Sequence, residues 1–254
     1  MIKSSQDRHP ATKEFSVMAS ENMIKYRHEY KYIIDERQKE ILKLRSQGLL
    51  ERDPHVGEDG VYMIRSLYFD SLEDSCFYEN ENGEDPREKY RIRIYDCDGS
   101  RISLECKAKE RMMTKKTSCL ISRRQCERFM QGEIPEPEEE AAGQAAMFHQ
   151  MRVRNLRPVV IVQYMRTPFI SQAGNVRVTY DEAVASSDDI AGFFEPDIPL
   201  RSILPVGCSI LEVKWDELLA TYIKEQLELG SLQWSSFSKY YLCRKYNSHG
   251  GVRL

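Results

Sequence analysis

Apolar and polar positions alternate with period two along most of this chain, which is the pattern of β-strands with two unlike faces. The alternation predicts strands over Tyr26–Ile34, Val61–Asp70, Lys89–Asp96, Ile102–Lys109, Lys115–Ile121, Pro158–Arg166, Asn175–Asp181 and Ser209–Trp215. Asp98-Gly99 predicts a tight hairpin between the third and fourth of these. Helix signals fall between the strands. Asp35 caps a segment running to Gln47 with Gly48 as its stop, and Ser122 starts a short helix to Met130 that Gly132–Pro137 breaks. Glu138–Asn155 reads as a helix weakened at Gly143. Asp216 caps another through Leu229, closed by Gly230, and Ser235–Arg244 forms a last one. Ser71–Asn80 is a loop or short helix, and Asp188–Pro205 is irregular.

The polar faces of these strands are unusual. They carry Arg, Lys and Glu rather than small polar residues, strand after strand. Arg27, Glu29 and Lys31 share a face; so do Arg91 and Arg93, then Glu105, Lys107 and Lys109, then Glu212 and Lys214. The opposite faces are Tyr, Ile, Val and Leu, and the amphipathic segments 36–47, 138–155 and 217–229 are available to cover them. With helices outside, the charged faces line the interior. The expected fold is therefore α+β: an antiparallel β-barrel tunnel with a charged lumen, packed by surrounding helices. Residues 23–246 are expected to form this single domain, with 1–22 a disordered tail and 247–254 a second tail.

Arg27, Lys31, Arg91, Arg93, Lys107, Arg166, Arg177 and Lys214 would converge on that lumen, with Glu29, Glu105, Asp181 and Glu212 among them. Two like charges about 4 Å apart repel by about 4 kcal/mol at an effective dielectric of 20, so such a site calls for an anion. Arginine forks favour phosphate or carboxylate, and several adjacent cations favour a polyanion such as a triphosphate or a longer chain. The interior carboxylates suit Mg²⁺ or Mn²⁺.

Composition narrows the setting. The 254 residues carry a net charge of −3, without the global basic field of a nucleic-acid binder. Seven scattered cysteines contain no C-x-x-C pair, which fits free thiols and a cytoplasmic location better than disulfides or zinc. The N-terminal stretch has no signal-peptide core, and no apolar run reaches 18 residues, so no membrane segment is expected.

In order, Arg27-His28-Glu29-Tyr30-Lys31-Tyr32, Ser66-Leu67-Tyr68-Phe69-Asp70, Lys89-Tyr90-Arg91-Ile92-Arg93, Leu104-Glu105-Cys106-Lys107, Tyr164-Met165-Arg166-Thr167, Val176-Arg177-Val178, Leu211-Glu212-Val213-Lys214 and Phe237-Ser238-Lys239-Tyr240 resemble the landmarks of the VTC (vacuolar transporter chaperone) domain. This is the polyphosphate polymerase branch of the triphosphate tunnel metalloenzymes. The resemblance implies a metal-dependent polyphosphate polymerase, transferring the γ-phosphate of ATP to a growing chain begun on inorganic phosphate or pyrophosphate. Carried over, the phosphate-binding set is Lys31, Arg91, Arg93, Lys107, Arg166, Arg177 and Lys239, with either Lys115 or Lys116 after the hairpin. Lys214 joins them from the charge pattern. Glu212 is the implied ligand of Mn²⁺ or Mg²⁺, and Arg91, Arg93, Lys107 and Glu212 the implied catalytic group. Triphosphatases of this superfamily carry two alternating glutamates before the first-strand lysine, where this chain has Arg27 and Glu29; that favours the polymerase branch. A lysine found in some polymerases three residues before Lys239 is here Ser236. A tunnel triphosphatase, acting on inorganic triphosphate or a nucleoside triphosphate, and a non-catalytic polyphosphate-binding domain are the alternatives.

Overall fold

A computed structural model describes residues 26–248 apart from 55, 58, 112 and 139–142, with backbone alone at 247 and 248. Both expected tails lie essentially outside the described residues. The elements in chain order are β1 (His28–Ile34), α1 (Glu36–Leu49), β2 (Glu51–Arg52), β3 (Tyr62–Asp70), α2 (Ser75–Glu81), β4 (Arg87–Tyr95), β5 (Asp98–Glu110), β6 (Met113–Ile121), α3 (Arg123–Met130), α4 (Gln144–Val153), β7 (Arg157–Ser171), β8 (Val176–Ser187), β9 (Arg201–Ser202), β10 (Ser209–Trp215), α5 (Thr221–Gln226) and α6 (Lys239–Ser248).

The long strands form one antiparallel sheet in the order β1-β10-β8-β7-β3-β4-β5-β6. It curls until its two edges touch at a single bridge, where Arg27 and Thr114 exchange N–H···O bonds of 3.0 and 3.1 Å. The convex face is apolar and covered by helices, as the alternation requires. Ile92, Ile94, Leu104 and Ile121 pack with Phe129 of α3 and with Met147, Phe148 and Met151 of α4. Leu211, Val213, Val178 and Tyr32 pack with Leu42 of α1, with Ile223 of α5 and with Leu227 just after it. Each fully buried side chain of this size contributes roughly 1.5–3 kcal/mol. α6 differs from the other helices. It sets Lys239 on Asp181 and Tyr240 on Tyr68 and Asp70, residues of the concave face, and so forms part of the lumen wall.

Local signals mislead at four points. The hairpin turn is Asp96-Cys97, both at positive φ, closed by the Tyr95–Asp98 pair; Asp98-Gly99 already belongs to β5. Met63 fixes this choice, its N–H donating to Asp96 Oδ1 and its carbonyl accepting from Asp96 N–H. Gly48 does not stop α1, which continues through Leu49 so that Leu50 is buried beside Leu42. α4 begins after Gly143, whose φ of +83° is left-handed backbone, while residues 139–142 of the expected Glu138–Asn155 helix lie outside the described residues. Asp216 does not cap α5: it pairs with Arg27 at 2.8 Å and accepts from Asn175, and α5 starts only at Thr221. Ser235 adds to the β1 edge, its N–H donating to the Lys31 carbonyl, so the final helix starts four residues late behind a Ser238 cap.

Candidate functional site

Strand register brings opposite charges face to face across the concave side of the sheet. The cross-strand pairs are Arg91 with Glu105, Arg166 with Asp181, Lys31 with Glu212 and Glu29 with Lys214. Such pairs set side chains about 5 Å apart on one face. Together they wall a cavity of about 640 Å³. Among the described residues its lining carries thirteen cationic side chains: Arg27, Lys31, Arg87, Lys89, Arg91, Arg93, Lys107, Lys109, Lys116, Arg166, Arg177, Lys214 and Lys239. Only Glu29 and Glu212 line it as carboxylates, with Glu105 and Asp181 beneath.

Four buried carboxylates organise the cations. Glu105, 2% exposed, accepts from Arg91 Nε at 2.7 Å and lies 2.6 Å from Arg91 Nη2. It also holds Lys116 at 2.7 Å and has Arg93 at 3.8 Å. Burial alone would raise its pKa; Arg91, Arg93 and Lys116 outweigh that and keep it far below the usual carboxylate range. Asp181 takes a two-pronged bond from Arg166 (2.6 and 2.7 Å) and Lys239 at 2.6 Å. These charges likewise overcome burial and depress its pKa. Glu212 lies 3.1 Å from Lys214, 3.3 Å from Arg166 and 3.8 Å from Lys31. Glu29 is shared by Lys107, Lys31 and Lys214. One carboxylate cannot hold three desolvated lysines fully charged. Burial and repulsion from neighbouring lysines lower the pKa of Lys31 and Lys107, and burial with Arg166 and Arg91 nearby brings Lys214 down to about 8.

Arg93 is the least satisfied of the set. It is 7% exposed, yet its hydrogen bonds to Ser66 and Tyr164 are long, at 3.4 and 3.5 Å. A guanidinium has five donors, so most of its capacity faces the cavity.

Every expected phosphate-binding position except Lys115 lines this one cavity. Lys116 stands opposite Lys107 and reaches Glu105, whereas Lys115 stands opposite Ala108 on the other face of β6. Period two separates two adjacent lysines, which the sequence alone left open. Arg177 sits at the rim, paired with buried Asp53 at 2.9 Å. Sequence reasoning passed over Lys89, although it shares the Arg91–Arg93 face. It bonds Asn80 and Ser238, and burial with nearby Lys31 lowers its pKa to about 7. Tyr68 accepts from Arg91 Nη1 at 2.9 Å. Tyr164 meets Arg166 and Lys239 over its ring, at 5.2 and 4.8 Å. Burial would raise the phenol pKa, but Arg166, Arg93 and Lys239 bring it to about 8. Asp70, at the end of the Ser66–Asp70 landmark, instead caps α2 through the Cys76 and Phe77 N–H groups.

The oxygen donors fit a divalent cation that arrives with phosphate. Glu29 Oε1 is held only by ion pairs, 3.2 Å from Lys31 and 3.7 Å from Lys214, and Glu212 faces the same lysines across the β1–β10 pair. Among the described residues no three His, Cys, Asp or Glu side chains form a metal cage. One or two carboxylates completed by substrate oxygens is the ordinary Mg²⁺ arrangement.

A curled antiparallel sheet enclosing a cationic lumen defines a tunnel-type α+β protein. The chain belongs to the VTC domain family, whose model matches residues 26–247. In structure it is similar to HpAC1 from Hippeastrum, an adenylyl cyclase-like protein described as having a dominant triphosphatase activity. That likeness has a TM-score of 0.52 at 10% identity, over 87% of this chain and 96% of the other. A protein from Bacillus halodurans described as adenylate cyclase-like aligns over 89% of this chain and 99% of its own, at 14% identity and TM-score 0.49. No curated protein matches the sequence. No helix among the described residues is long and apolar enough to cross a membrane.

Proposed function

We propose that this chain is a polyphosphate polymerase that transfers the γ-phosphate of ATP to a growing polyphosphate chain. The observation that carries the reading is the imbalance of charge in one cavity: thirteen cations around four carboxylates, with Arg93 donors unclaimed. An excess of that size suits a chain of phosphates rather than a single anion. Phosphoryl transfer needs mainly positioning and neutralisation of the equatorial oxygens, and a cage of Arg and Lys on rigid strands supplies both. Arg91, Arg93 and Lys107 would hold the transferring phosphate, with Lys31, Lys116, Arg166, Arg177, Lys214 and Lys239 along the chain. Glu212, with Glu29 beside it, would hold Mn²⁺ or Mg²⁺, which supplies further charge neutralisation when bound. The acceptor is the end of the chain, or inorganic phosphate or pyrophosphate at the start.

Hydrolysis is the second reading, favoured by the fold shared with HpAC1. It needs a site for an attacking water; the first strand, with Arg27 in place of a second carboxylate, argues for keeping the acceptor a phosphate. Incubation of the pure protein with ATP and Mn²⁺, resolved on a gel, separates the readings. Long chains support the polymerase, free phosphate alone supports the hydrolase, and retention of polyphosphate without turnover supports a binding domain.

A further inference from the structure

Ser66, Tyr68 and Asp70 alternate on β3, so they share the concave face of the sheet, and none carries a positive charge. Each instead grips a lumen cation or the residue beside one. Ser66 Oγ accepts from Arg93 Nε at 3.4 Å, and the Tyr68 hydroxyl accepts from Arg91 Nη1 at 2.9 Å. Asp70 is fully buried at the end of the strand. Its carboxylate accepts from the N–H groups of Ser71 and Cys76 at Oδ1 and of Phe77 at Oδ2, which accounts for its hold on α2. Oδ2 also accepts from the hydroxyl of Tyr240, a residue of α6 that a cap for α2 does not need. Asp74, at the N-cap position of α2, makes no capping bond and pairs with Arg244 of α6 instead. Phe77 stacks on Tyr241 at 5.1 Å. The end of β3 and the start of α2 therefore hold α6 at several points.

Tyr240 follows Lys239 in the first turn of α6, behind the Ser238 cap. Consecutive helix residues point about 100° apart, so the direction of one fixes that of the next. Tyr240 is drawn to Asp70, with its ring 5.1 Å from that of Tyr68, and Lys239 is thereby turned into the lumen. There it lies 2.6 Å from Asp181 and 4.8 Å from the centre of the Tyr164 ring. The other cations lining the lumen stand on the sheet, whose ladder bonds fix the backbone beneath them. Lys239 stands on a helix, so its aim depends on side-chain ties. We propose that Asp70 is a positioning residue, acting through the Tyr240 hydroxyl to aim Lys239 at a bound phosphate chain, a role that rests on the phosphate reading of the cavity. A phenol donating to a buried carboxylate is a strong tie of this kind, because the acceptor is charged and water does not compete.

The experiment is a double-mutant cycle. Inorganic triphosphate is titrated by calorimetry at low salt into wild type, Tyr240→Phe, Lys239→Ala and the double variant. Tyr240→Phe keeps the ring beside Tyr68 and removes only the hydroxyl. It is expected to weaken triphosphate by about 5- to 30-fold in the wild-type background, and by less than about 3-fold once Lys239 is Ala, because the lysine it aims is gone. Asp70→Asn keeps one oxygen for the α2 N–H groups and is expected to give the same pattern. Unchanged affinity in Tyr240→Phe, or a loss that stays above about 3-fold without Lys239, makes the bond a fold contact alone and overturns the positioning role. Either result leaves the phosphate site in place, since wild type still binds. Failure of the wild type to bind triphosphate overturns the phosphate reading and the positioning role with it. Melting curves establish that each variant is folded at the titration temperature, and Asp70→Asn carries the cycle if Tyr240→Phe is not.

Discussion

Glu105→Gln tests whether the lumen is an electrostatic cage waiting for an anion. The substitution keeps size and shape but removes the one charge that holds Arg91, Arg93 and Lys116 together. Arg93 at 3.8 Å alone represents a gross attraction of about 4 kcal/mol at an effective dielectric of 20. Removing one partner of a buried pair costs about 3–5 kcal/mol net, because the remaining charge stays desolvated. Lys116 is half in water and the lumen is solvated, so the lower end of that range, about 3 kcal/mol, applies. For a protein of this size each kcal/mol moves Tm by about 2–4 °C, and the empty variant should melt about 6–12 °C below wild type. Inorganic triphosphate replaces the missing charge. Its stabilisation at saturating concentration should therefore be larger in Glu105→Gln than in wild type, partly closing the gap. Differential scanning fluorimetry at low salt, with and without millimolar triphosphate, measures both shifts. An unchanged Tm of the empty variant, or a smaller ligand shift than in wild type, would refute the cage.

Three further outcomes follow from the same geometry. Arg93→Ala should lower turnover by about 10²–10³-fold with little loss of stability, since its native contacts are long; Arg91→Lys should rescue only part of the loss of Arg91→Ala, because a point charge cannot replace a fork. Triphosphate affinity should rise as pH falls from 9 to 6.5, as Lys214 and Lys89 gain protons near 8 and 7 and Tyr164 near 8 loses its anionic form. Stability of the empty protein should move the opposite way. The unfolded lysines keep their protons to about pH 10.5, so the unfolded state binds more protons between about 7 and 10.5 and stability rises with pH there; calorimetric titrations and melting curves across pH check both signs. Glu212→Gln should abolish Mn²⁺-dependent turnover and leave triphosphate binding intact or tighter, whereas activation by Mn²⁺ with an unchanged midpoint would make Glu212 a counter-charge for Lys214 and Arg166 alone.

Much of this architecture was legible because the sheet is amphipathic in an inverted sense. Alternation in Lys89–Asp96 and Ser209–Trp215 shows which residues share a face, and that is a local property of the strand. What was not legible depends on contacts distant in sequence. Asp96-Cys97 took the turn from Asp98-Gly99 because Met63 grips Asp96 from another strand. Asp216 looked like a cap but was claimed by Arg27. The place of α6 in the lumen wall follows from its bonds to Asp181 and Asp70, which no periodicity contains. Arg65 shows the same limit: it is fully buried on the opposite face from the lumen, donating to the carbonyls of Gly192 and Phe193 and so anchoring the irregular segment after β8.

Label transfer tests the central claim most directly. The protein is incubated with Mn²⁺ and ATP labelled either at the γ- or at the α-phosphate, and the products are separated by length. The expected result is γ-label in long chains that an exopolyphosphatase degrades, with α-label remaining in nucleotide. γ-Label recovered only as orthophosphate, with no chain longer than triphosphate at any time, would contradict a polymerase built in this lumen.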